Sequence, residues 1–263
     1  MGLMGLIFGA LLAVASKKFA VASDERVGKV RAVLPGVNCG ACGYAGCDAL
    51  AEAIVAGKAA LDACKAGGPR VAEKVADIMG AKLDKHPERM VALVKCVGNK
   101  DKTKYRGEYS GVPSCRAAVM AGNGPKDCLY GCLGFGDCVR ACPFDAIHIS
   151  PGGVAVVDAD KCTACGKCVA ACPRGIIELV PASHKVHVLC MNQEKGVVTR
   201  KQCTVGCIAC QACVRACPKG AISVQNNVAK IDYSKCDDCA LCAAKCPVKV
   251  ISGRKESVEA AAS

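Results

Sequence analysis

The stretch "CTACGKCVAACP", residues 162–173, decides how this chain folds. It places four cysteines and a proline in the spacing C-x2-C-x2-C-x3-C-P. Cysteines this close together in the chain do not form unstrained disulfides with one another. A zinc knuckle normally takes two cysteines from each of two distant pairs, and a thiol redox site needs only one C-x-x-C. Three thiolates at this spacing instead suit one corner of a 4Fe-4S cubane, and the fourth suits a neighbouring cubane.

Two other stretches of the chain repeat this spacing, and a fourth burst departs from it. The regular repeats end at Pro218 and Pro247, and their cysteines are Cys207, Cys210, Cys213 and Cys217, and Cys236, Cys239, Cys242 and Cys246. The irregular burst reads C-x3-C-x5-C-x3-C-P and contains Cys128, Cys132, Cys138 and Cys142. An offset of 75 residues relates it to the run before Pro218, and an offset of 74 relates the other two runs. This internal repeat predicts that one two-cluster module of the bacterial ferredoxin type occurs twice.

The duplication also assigns cysteines to clusters, because in two-cluster ferredoxins the fourth cysteine of each run binds the cluster of the other run. The alignment places Phe135 opposite Cys210, so we assign Cys128 in place of the cysteine that the first copy lacks. Cys203 is an alternative to Cys210, which the regular spacing favours. The predicted ligand sets of the first module are Cys128, Cys132, Cys138 and Cys172, and Cys142, Cys162, Cys165 and Cys168. Those of the second module are Cys207, Cys210, Cys213 and Cys246, and Cys217, Cys236, Cys239 and Cys242.

The segments between the runs predict the rest of each module. Two pairs of segments have the alternating residue pattern of short strands. The first pair, "AIHIS" (146–150) and "VAVVD" (154–158), flanks a glycine-containing turn, and the second, "AISVQ" (221–225) and "VAKID" (228–232), flanks two asparagines. Each pair predicts a β-hairpin. The stretch before each proline suits a short helical turn that the proline ends.

A further group of cysteines stands near the N-terminus. Cys39, Cys42, Cys47 and Cys64 have the spacing C-x2-C-x4-C-x16-C, which is not the ferredoxin pattern. Glycines allow the first loop to turn tightly, and a helix from about Asp48 brings Cys64 back. Four thiolates suit zinc or an iron-sulfur cluster, and the other clusters predicted in this chain favour an iron-sulfur cluster here as well. "RVAEKVADIMGAKL" (70–83) predicts an amphipathic helix that packs on this domain.

The remaining four of the 24 cysteines belong to no burst. The offset of 75 residues relates Cys115 to Cys190 and Cys128 to Cys203. We interpret the unassigned thiols as buried structural groups, although they suffice in number for a sixth cluster; they are Cys96, Cys115, Cys190 and Cys203. The sequence therefore predicts five 4Fe-4S clusters.

The N-terminus predicts a membrane anchor. Residues 1–16 carry no charge, and Lys17 and Lys18 follow. A helix over this run is slightly short for a bilayer, but snorkelling lysines and the apolar residues 19–21 extend it. A cleaved signal peptide is the alternative, but the run lacks a basic segment before it. Because the basic residues follow the apolar run, we expect the bulk of the chain on the cytoplasmic side of the inner or plasma membrane.

The net charge of +12 suggests an acidic or nucleic-acid partner, yet that count treats every cysteine as a neutral thiol. A four-thiolate 4Fe-4S core carries about −2, so five of them leave a charge of about +2. No basic motif interleaved with aromatic residues accompanies the lysines, and we expect no nucleic-acid binding.

These elements predict an α+β protein that consists of a transmembrane helix, a small helical 4Fe-4S domain and two tandem two-cluster ferredoxin modules. The predicted boundaries are 1–22 for the anchor, 23–95 for the helical domain, 96–182 and 183–253 for the modules, and 254–263 for a tail.

In this order, the elements resemble the B subunits of the Rnf-type (Rnf/Rsx) ion-translocating electron transport complexes. The resemblance rests on the apolar N-terminus, on "CGACGYAGC" (39–47) with the distant Cys64, and on "CLYGCLGFGDCVRACPFDAI" (128–147) followed by the tandem runs. It covers essentially the whole chain.

The resemblance implies an electron-transfer subunit of a translocase. Such a subunit accepts electrons from reduced ferredoxin and passes them to membrane and flavin subunits that reduce NAD while moving sodium ions or protons. The sequence has no P-loop, no G-x-G-x-x-G after a strand and no Ser/His/Asp grouping, so we expect no complete active site in the chain itself. The alternatives are a free polyferredoxin carrier and a subunit of a related complex that reduces a redox-sensing regulator.

Overall fold

The computed structural model describes residues 24–83 and 88–253. The predicted anchor, 1–22, and the predicted tail, 254–263, lie outside these ranges. Within the two described ranges, no helix is long and apolar enough to cross a membrane. Short helices and two-stranded antiparallel sheets make up this part of the chain, as expected for the α+β class.

Three helices form the N-terminal domain. They are α1 (Glu25–Val33), α2 (Cys47–Val55) and α3 (Gly68–Met79). Asp24 caps α1, because its side chain accepts a hydrogen bond from the backbone N–H of Arg26 at 2.9 Å. The helices enclose an aliphatic core that contains Val30, Leu50, Ile54 and Val75. This core holds the cysteine-bearing loops at one end of the domain.

The first ferredoxin module contains two antiparallel strand pairs and three short helices. Its elements are β1 (Met90–Val94), α4 (Cys115–Met120), α5 (Asp137–Arg140), β2 (Ile147–Ile149), β3 (Ala155–Val157), α6 (Lys167–Ala171) and β4 (Ile177–Pro181). Strand β2 pairs with β3, which confirms the predicted hairpin. Strand β1 pairs with β4, with Val94 opposite Ile177. The predicted boundary at 95/96 would separate β1 from this partner, so β1 belongs to the first module by its hydrogen bonds.

The second module repeats this arrangement. Its elements are β5 (Val186–Val188), α7 (Gly196–Gln202), α8 (Ala212–Ala216), β6 (Ile222–Gln225), β7 (Val228–Ile231), α9 (Leu241–Ala244) and β8 (Ile251–Gly253). Strand β6 pairs with β7, which confirms the second predicted hairpin, and β5 pairs with β8.

The strand pairing shows which cysteines are equivalent in the two copies. Val94 lies opposite Ile177, and Val188 lies opposite Ile251. Since Ile177 and Ile251 each follow the last cysteine of their run by five residues, Val94 and Val188 are equivalent. Cys96 is therefore the structural counterpart of Cys190. The offset of 75 residues, which pairs Cys115 with Cys190, fails here because the first module carries an additional segment that includes α4.

The two modules contact each other through a short antiparallel pairing. The backbone N–H of Lys104 donates to the carbonyl of Gln202 at 2.8 Å, and that of Thr204 donates to the carbonyl of Lys102 at 2.9 Å. Between these bonds, Thr103 lies opposite Cys203. Cys203 is thereby held against the first module.

Substitution of Gly134 should lower stability through steric overlap as well as backbone strain, and a second glycine allows the two costs to be separated. Its φ is +80°, and an added Cβ would lie 2.5 Å from the carbonyl oxygen of Gly153 in the β2–β3 turn. Gly166, with φ +77°, would meet nothing within 4 Å. We expect Gly166→Ala to cost about 1 kcal/mol from strain alone. Gly134→Ala should cost at least about 1 kcal/mol more, because its Cβ overlaps backbone.

The measurement is the apparent denaturation midpoint of each variant, followed by circular dichroism under anaerobic conditions. Equal losses in the two variants would contradict the close approach of Gly134 to the hairpin turn.

Candidate iron-sulfur centres

All 24 cysteines lie in the described ranges, and none of them forms a disulfide. Within these ranges, the ligand atoms of histidine, cysteine and carboxylate side chains form one group of three that all lie within 4.8 Å of one another. This group consists of His184, Cys236 and Asp238. In a tetrahedral zinc site with Zn–S bonds of about 2.3 Å, the sulfurs would lie about 4 Å apart. No three cysteine sulfurs in residues 24–83 and 88–253 are that close together. The cysteine groups described below are therefore spaced too widely for a single zinc ion.

The N-terminal site consists of Cys39, Cys42, Cys47 and Cys64, which line one pocket. Asn38 positions the start of α2, because its Oδ1 accepts a hydrogen bond from the backbone N–H of Cys47 at 2.8 Å. Burial raises the pKa of the Cys64 thiol, and the three other thiols add to the shift. The four sulfurs thus face a common space at the end of the helical domain.

Site 1A, in the first module, is a pocket whose cysteines are Cys115, Cys132, Cys138 and Cys172. Asp137, the first residue of α5, joins this helix to α4. Its carboxylate accepts from the Ser114 hydroxyl at 3.0 Å and from the backbone N–H of Arg116 at 3.0 Å. Because Cys115 lies between these two residues, the contact holds it near Cys138. Burial raises the pKa of Cys138 to about 12, and Cys132 and Cys115 contribute.

This arrangement differs from the sequence assignment, which placed Cys128 with Cys132, Cys138 and Cys172. Cys115 stands in that position, and Cys128 lines a different pocket. The physical reason is the additional segment before Cys128, which folds into α4 and carries Cys115 to the site. The sequence contains a signal for this helix, since Ser114 caps it by accepting from the backbone N–H of Ala117.

Site 1B, the second site of the first module, consists of Cys142, Cys162, Cys165 and Cys168. Burial raises the pKa of Cys168 to about 11, with the Cys162, Cys165 and Cys142 thiols adding to the shift. The backbone N–H of Ala92 in β1 donates to the sulfur of Cys162 at 3.3 Å. Burial also raises the pKa of Cys165, and Cys39 of the N-terminal site contributes. The N-terminal site and site 1B are therefore neighbours.

Site 2A, in the second module, is a pocket whose cysteines are Cys207, Cys210, Cys213 and Cys246. Cys210 lines this pocket, and Cys203 lines another. Burial raises the pKa of the Cys213 thiol, and Cys207, Cys246 and Cys210 contribute.

Site 2B consists of Cys217, Cys236 and Cys242, to which the sequence spacing adds the exposed Cys239. Burial raises the pKa of Cys236 and of Cys242, and the Cys217 thiol contributes to both shifts. Asp238 ties this loop to β5, because its carboxylate accepts from the backbone N–H groups of Lys185 and Val186, each at 3.0 Å. His184 also contacts this carboxylate, at 2.8 Å.

A further pocket lies between the modules, and its cysteines are Cys96, Cys128, Cys190 and Cys203. We call it the intermodule pocket. Three of its cysteines, and Cys115 of site 1A, are the residues that the sequence left as structural thiols. Each of the four instead stands in a group of four cysteines.

The chemistry of these groups suits iron-sulfur clusters. Backbone N–H groups donate to cysteine sulfurs, as at Ala155 to Cys132 (3.4 Å) and Ala221 to Cys217 (3.3 Å). Such hydrogen bonds stabilise thiolates and adjust cluster potentials. A thiol with a raised pKa is protonated at neutral pH unless a metal ion binds to it. The donor sets, sulfur spacing and hydrogen bonds therefore fit four-iron clusters.

Three known families match along the chain. Residues 34–66 match the family described as "Putative Fe-S cluster", and residues 130–179 and 206–255 match two families described as "4Fe-4S dicluster domain". These matches fall in the helical domain and in each of the two modules. Together with the cysteine groups, they define an iron-sulfur electron-transfer protein with two ferredoxin-type domains.

Three relatives extend over nearly the whole chain. The B subunit of the Na(+)-translocating ferredoxin:NAD(+) oxidoreductase complex of Acetobacterium woodii is 52% identical over 97% of this chain and 77% of its own length. The B subunit of the proton-translocating ferredoxin:NAD(+) oxidoreductase complex of Clostridium ljungdahlii is 46% identical, over 95% and 89%. The B subunit of the ion-translocating oxidoreductase complex of Methanosarcina acetivorans is 42% identical, over 95% of each. The chain belongs to this family of B subunits, which confirms the resemblance read from the sequence.

Substitution of Arg174 tests how much the stability of the loop beside site 1A depends on this side chain. Its guanidinium donates to three backbone carbonyls, those of Cys128 at 2.8 Å, Gly131 at 2.6 Å and Asn123 at 2.5 Å. Arg174→Met keeps the aliphatic stem but leaves these acceptors without the donor. We expect a loss of about 2–4 kcal/mol, because charged hydrogen bonds to partly buried groups are removed.

The apparent thermal midpoint, measured anaerobically, reports this loss. Arg200→Met is the matched control, since Arg200 is exposed on α7, and its midpoint should stay at the wild-type value. A wild-type midpoint in Arg174→Met would show that the carbonyls do not need this donor.

Proposed function

We propose that this chain is the iron-sulfur subunit of a membrane ferredoxin:NAD oxidoreductase. It accepts electrons from reduced ferredoxin and relays them through 4Fe-4S clusters to membrane and flavin subunits, and the transfer is coupled to translocation of sodium ions or protons. The relatives' names support this proposal. The observation that carries it is the grouping of the cysteines in fours around separate pockets.

Five groups correspond to the clusters that the sequence predicts, with Cys115 in the position first given to Cys128. The proposed ligands in the N-terminal domain and the first module are Cys39, Cys42, Cys47 and Cys64; Cys115, Cys132, Cys138 and Cys172; and Cys142, Cys162, Cys165 and Cys168. Those in the second module are Cys207, Cys210, Cys213 and Cys246, and Cys217, Cys236, Cys239 and Cys242.

Thiols of neighbouring sites influence one another's pKa, which supports a path for electrons between the sites. Cys39 of the N-terminal site influences the pKa of Cys165 in site 1B. Cys168 of site 1B influences that of Cys138 in site 1A. In the second module, Cys213 of site 2A influences the pKa of Cys242 in site 2B. These influences support electron transfer among the N-terminal site, site 1B and site 1A, and between sites 2A and 2B.

The proposed exit is the N-terminal site, because its domain follows the apolar run directly. We propose that residues 1–22 anchor the chain in the inner or plasma membrane and that the bulk of the chain lies on the cytoplasmic side. Copurification from detergent with other membrane subunits would support this arrangement. Recovery of a single soluble chain would favour the alternative of a free polyferredoxin.

Cys42→Ala tests the exit site. The substitution removes one ligand of the N-terminal site, so we expect ferredoxin-dependent NAD reduction by the purified complex to fall to background. Clusters in the two ferredoxin modules should remain reducible, as followed by electron paramagnetic resonance. Arg70→Ala, at an exposed residue of the same domain, should leave turnover unchanged. Wild-type turnover in Cys42→Ala would refute the assignment.

Cys115→Ala tests the revised ligand set of site 1A. Only three cysteines remain there, so we expect the cluster to be lost or to convert to a three-iron form. Iron and acid-labile sulfide per chain should fall, and the resonance of one cluster should change. Met120→Ala serves as the control, because Met120 is 83% exposed on the same helix. A full iron content and an unchanged spectrum in Cys115→Ala would instead favour Cys128 as the fourth ligand of this site.

A further inference from the structure

We propose that the intermodule pocket holds a sixth 4Fe-4S cluster, which joins the electron paths of the two ferredoxin modules. Its ligands are Cys96, Cys128, Cys190 and Cys203. The site itself is inferred from the geometry of these residues, and its role as a link rests on the proposed function above.

Each module contributes an equivalent pair of these cysteines. Cys96 and Cys190 follow the equivalent strands β1 and β5 at the same distance. Cys128 precedes Cys132 by four residues, and Cys203 precedes Cys207 by four. The pocket is therefore close to symmetric between the modules, although only Cys128 of its cysteines belongs to a burst. Two pairs brought together by the Lys102–Lys104 and Gln202–Thr204 pairing make a complete set of four thiols.

Hydrogen-bond donors surround these sulfurs, as they surround the cysteine sulfurs of a bound cluster. The side-chain amide of Asn192 donates to the sulfur of Cys128 at 3.4 Å, and its backbone N–H donates to that of Cys190 at 3.4 Å. The Thr103 hydroxyl donates to the sulfur of Cys203 at 3.6 Å. Structural thiols in an aliphatic core need no such set of donors, whereas cluster thiolates accept several hydrogen bonds.

A buried positive charge lies beside the pocket. Lys126 is only 1% exposed, and its Nζ donates to the carbonyl of Gly98 at 2.7 Å. Within the described ranges, no carboxylate forms an ion pair with this ammonium group. Gly98 lies directly against the site, since a Cβ there would stand 3.2 Å from the sulfur of Cys203 and 3.8 Å from that of Cys96.

Burying an unpaired charge is costly unless an opposite charge is near. A cubane with four thiolates carries about −2 and would supply that charge. Four neutral thiols would not. Lys126 therefore favours an anionic occupant, and the wide sulfur spacing excludes a single zinc ion as a good fit.

The pocket also touches the neighbouring sites on both sides. The backbone N–H of Cys132, a residue of site 1A, donates to the sulfur of Cys96 at 3.3 Å. In the same way, the backbone N–H of Cys207, a residue of site 2A, donates to the sulfur of Cys190 at 3.4 Å. A cluster in this pocket would lie between sites 1A and 2A and connect them. The six sites then form one continuous series from site 2B to the N-terminal site.

The experiment is a metal analysis of the anaerobically purified full chain. Six cubanes give about 24 irons and 24 sulfides per chain, and five give about 20. We expect the wild type to contain about 24. The double variant Cys96→Ala/Cys190→Ala leaves two ligands in the pocket, so it should contain about 20 and lose one cluster resonance. Val97→Ala/Val205→Ala removes apolar atoms from the same pocket but no sulfur, and it should retain about 24.

A wild-type content of about 20 irons would overturn the site, and this result does not depend on whether the variant folds. One zinc per chain that disappears in the double variant would also overturn it. The linking role has its own readout, the ferredoxin-dependent reduction of the N-terminal cluster in the purified complex. Wild-type reduction in a variant that has lost four irons would overturn the role. Absence of this reduction in the wild type would count against the proposed function, while the iron count would still decide the site.

Discussion

Convergence of sulfur atoms from distant parts of the chain is the constraint on which this fold depends. The chain has no tryptophan and only 3% aromatic residues, so large side chains do not fill its interior. In the first module, Cys132, Cys138 and Cys168 instead belong to the buried core together with small and branched aliphatic residues. Cys207, Cys213 and Cys242 do the same in the second module. Short strands and helices suffice there, because inorganic clusters would occupy the space between them.

Burial of the thiols links metal binding to folding. Desolvation raises the pKa of Cys190 to about 12 and that of Cys132 to about 11, so these groups are protonated at neutral pH without a metal. Cluster insertion must release these protons, and the iron must supply the charge that keeps buried thiolates stable. Lys126 assists from the protein side, since it carries a positive charge into the same region. Solvent-exposed Cys210 and Cys239 lie at the other extreme, in the second module.

Much of this organisation could be predicted from cysteine spacing. The regular runs define the modules, and the segments between them form the expected hairpins. The position of Cys115 in the site 1A pocket was missed, because a constant offset assumes copies of equal length. Cys96 precedes Cys132 by 36 residues, whereas Cys190 precedes Cys207 by 17. Only the pairing of β1 with β4 reveals the true equivalence, and a five-residue apolar strand gives no sequence signal for such a distant partner.

The intermodule pocket also constrains how the protein is made. Cys96 and Cys128 leave the ribosome with the first module, but their partners Cys190 and Cys203 belong to the second. The pocket thus lacks a full set of cysteines until Cys203, in the second module, has been synthesised. Site 1A, in contrast, is complete once Cys172 has emerged. With the ligands proposed above, site 1A therefore has all of its cysteines before the shared pocket does, and it can be metallated first.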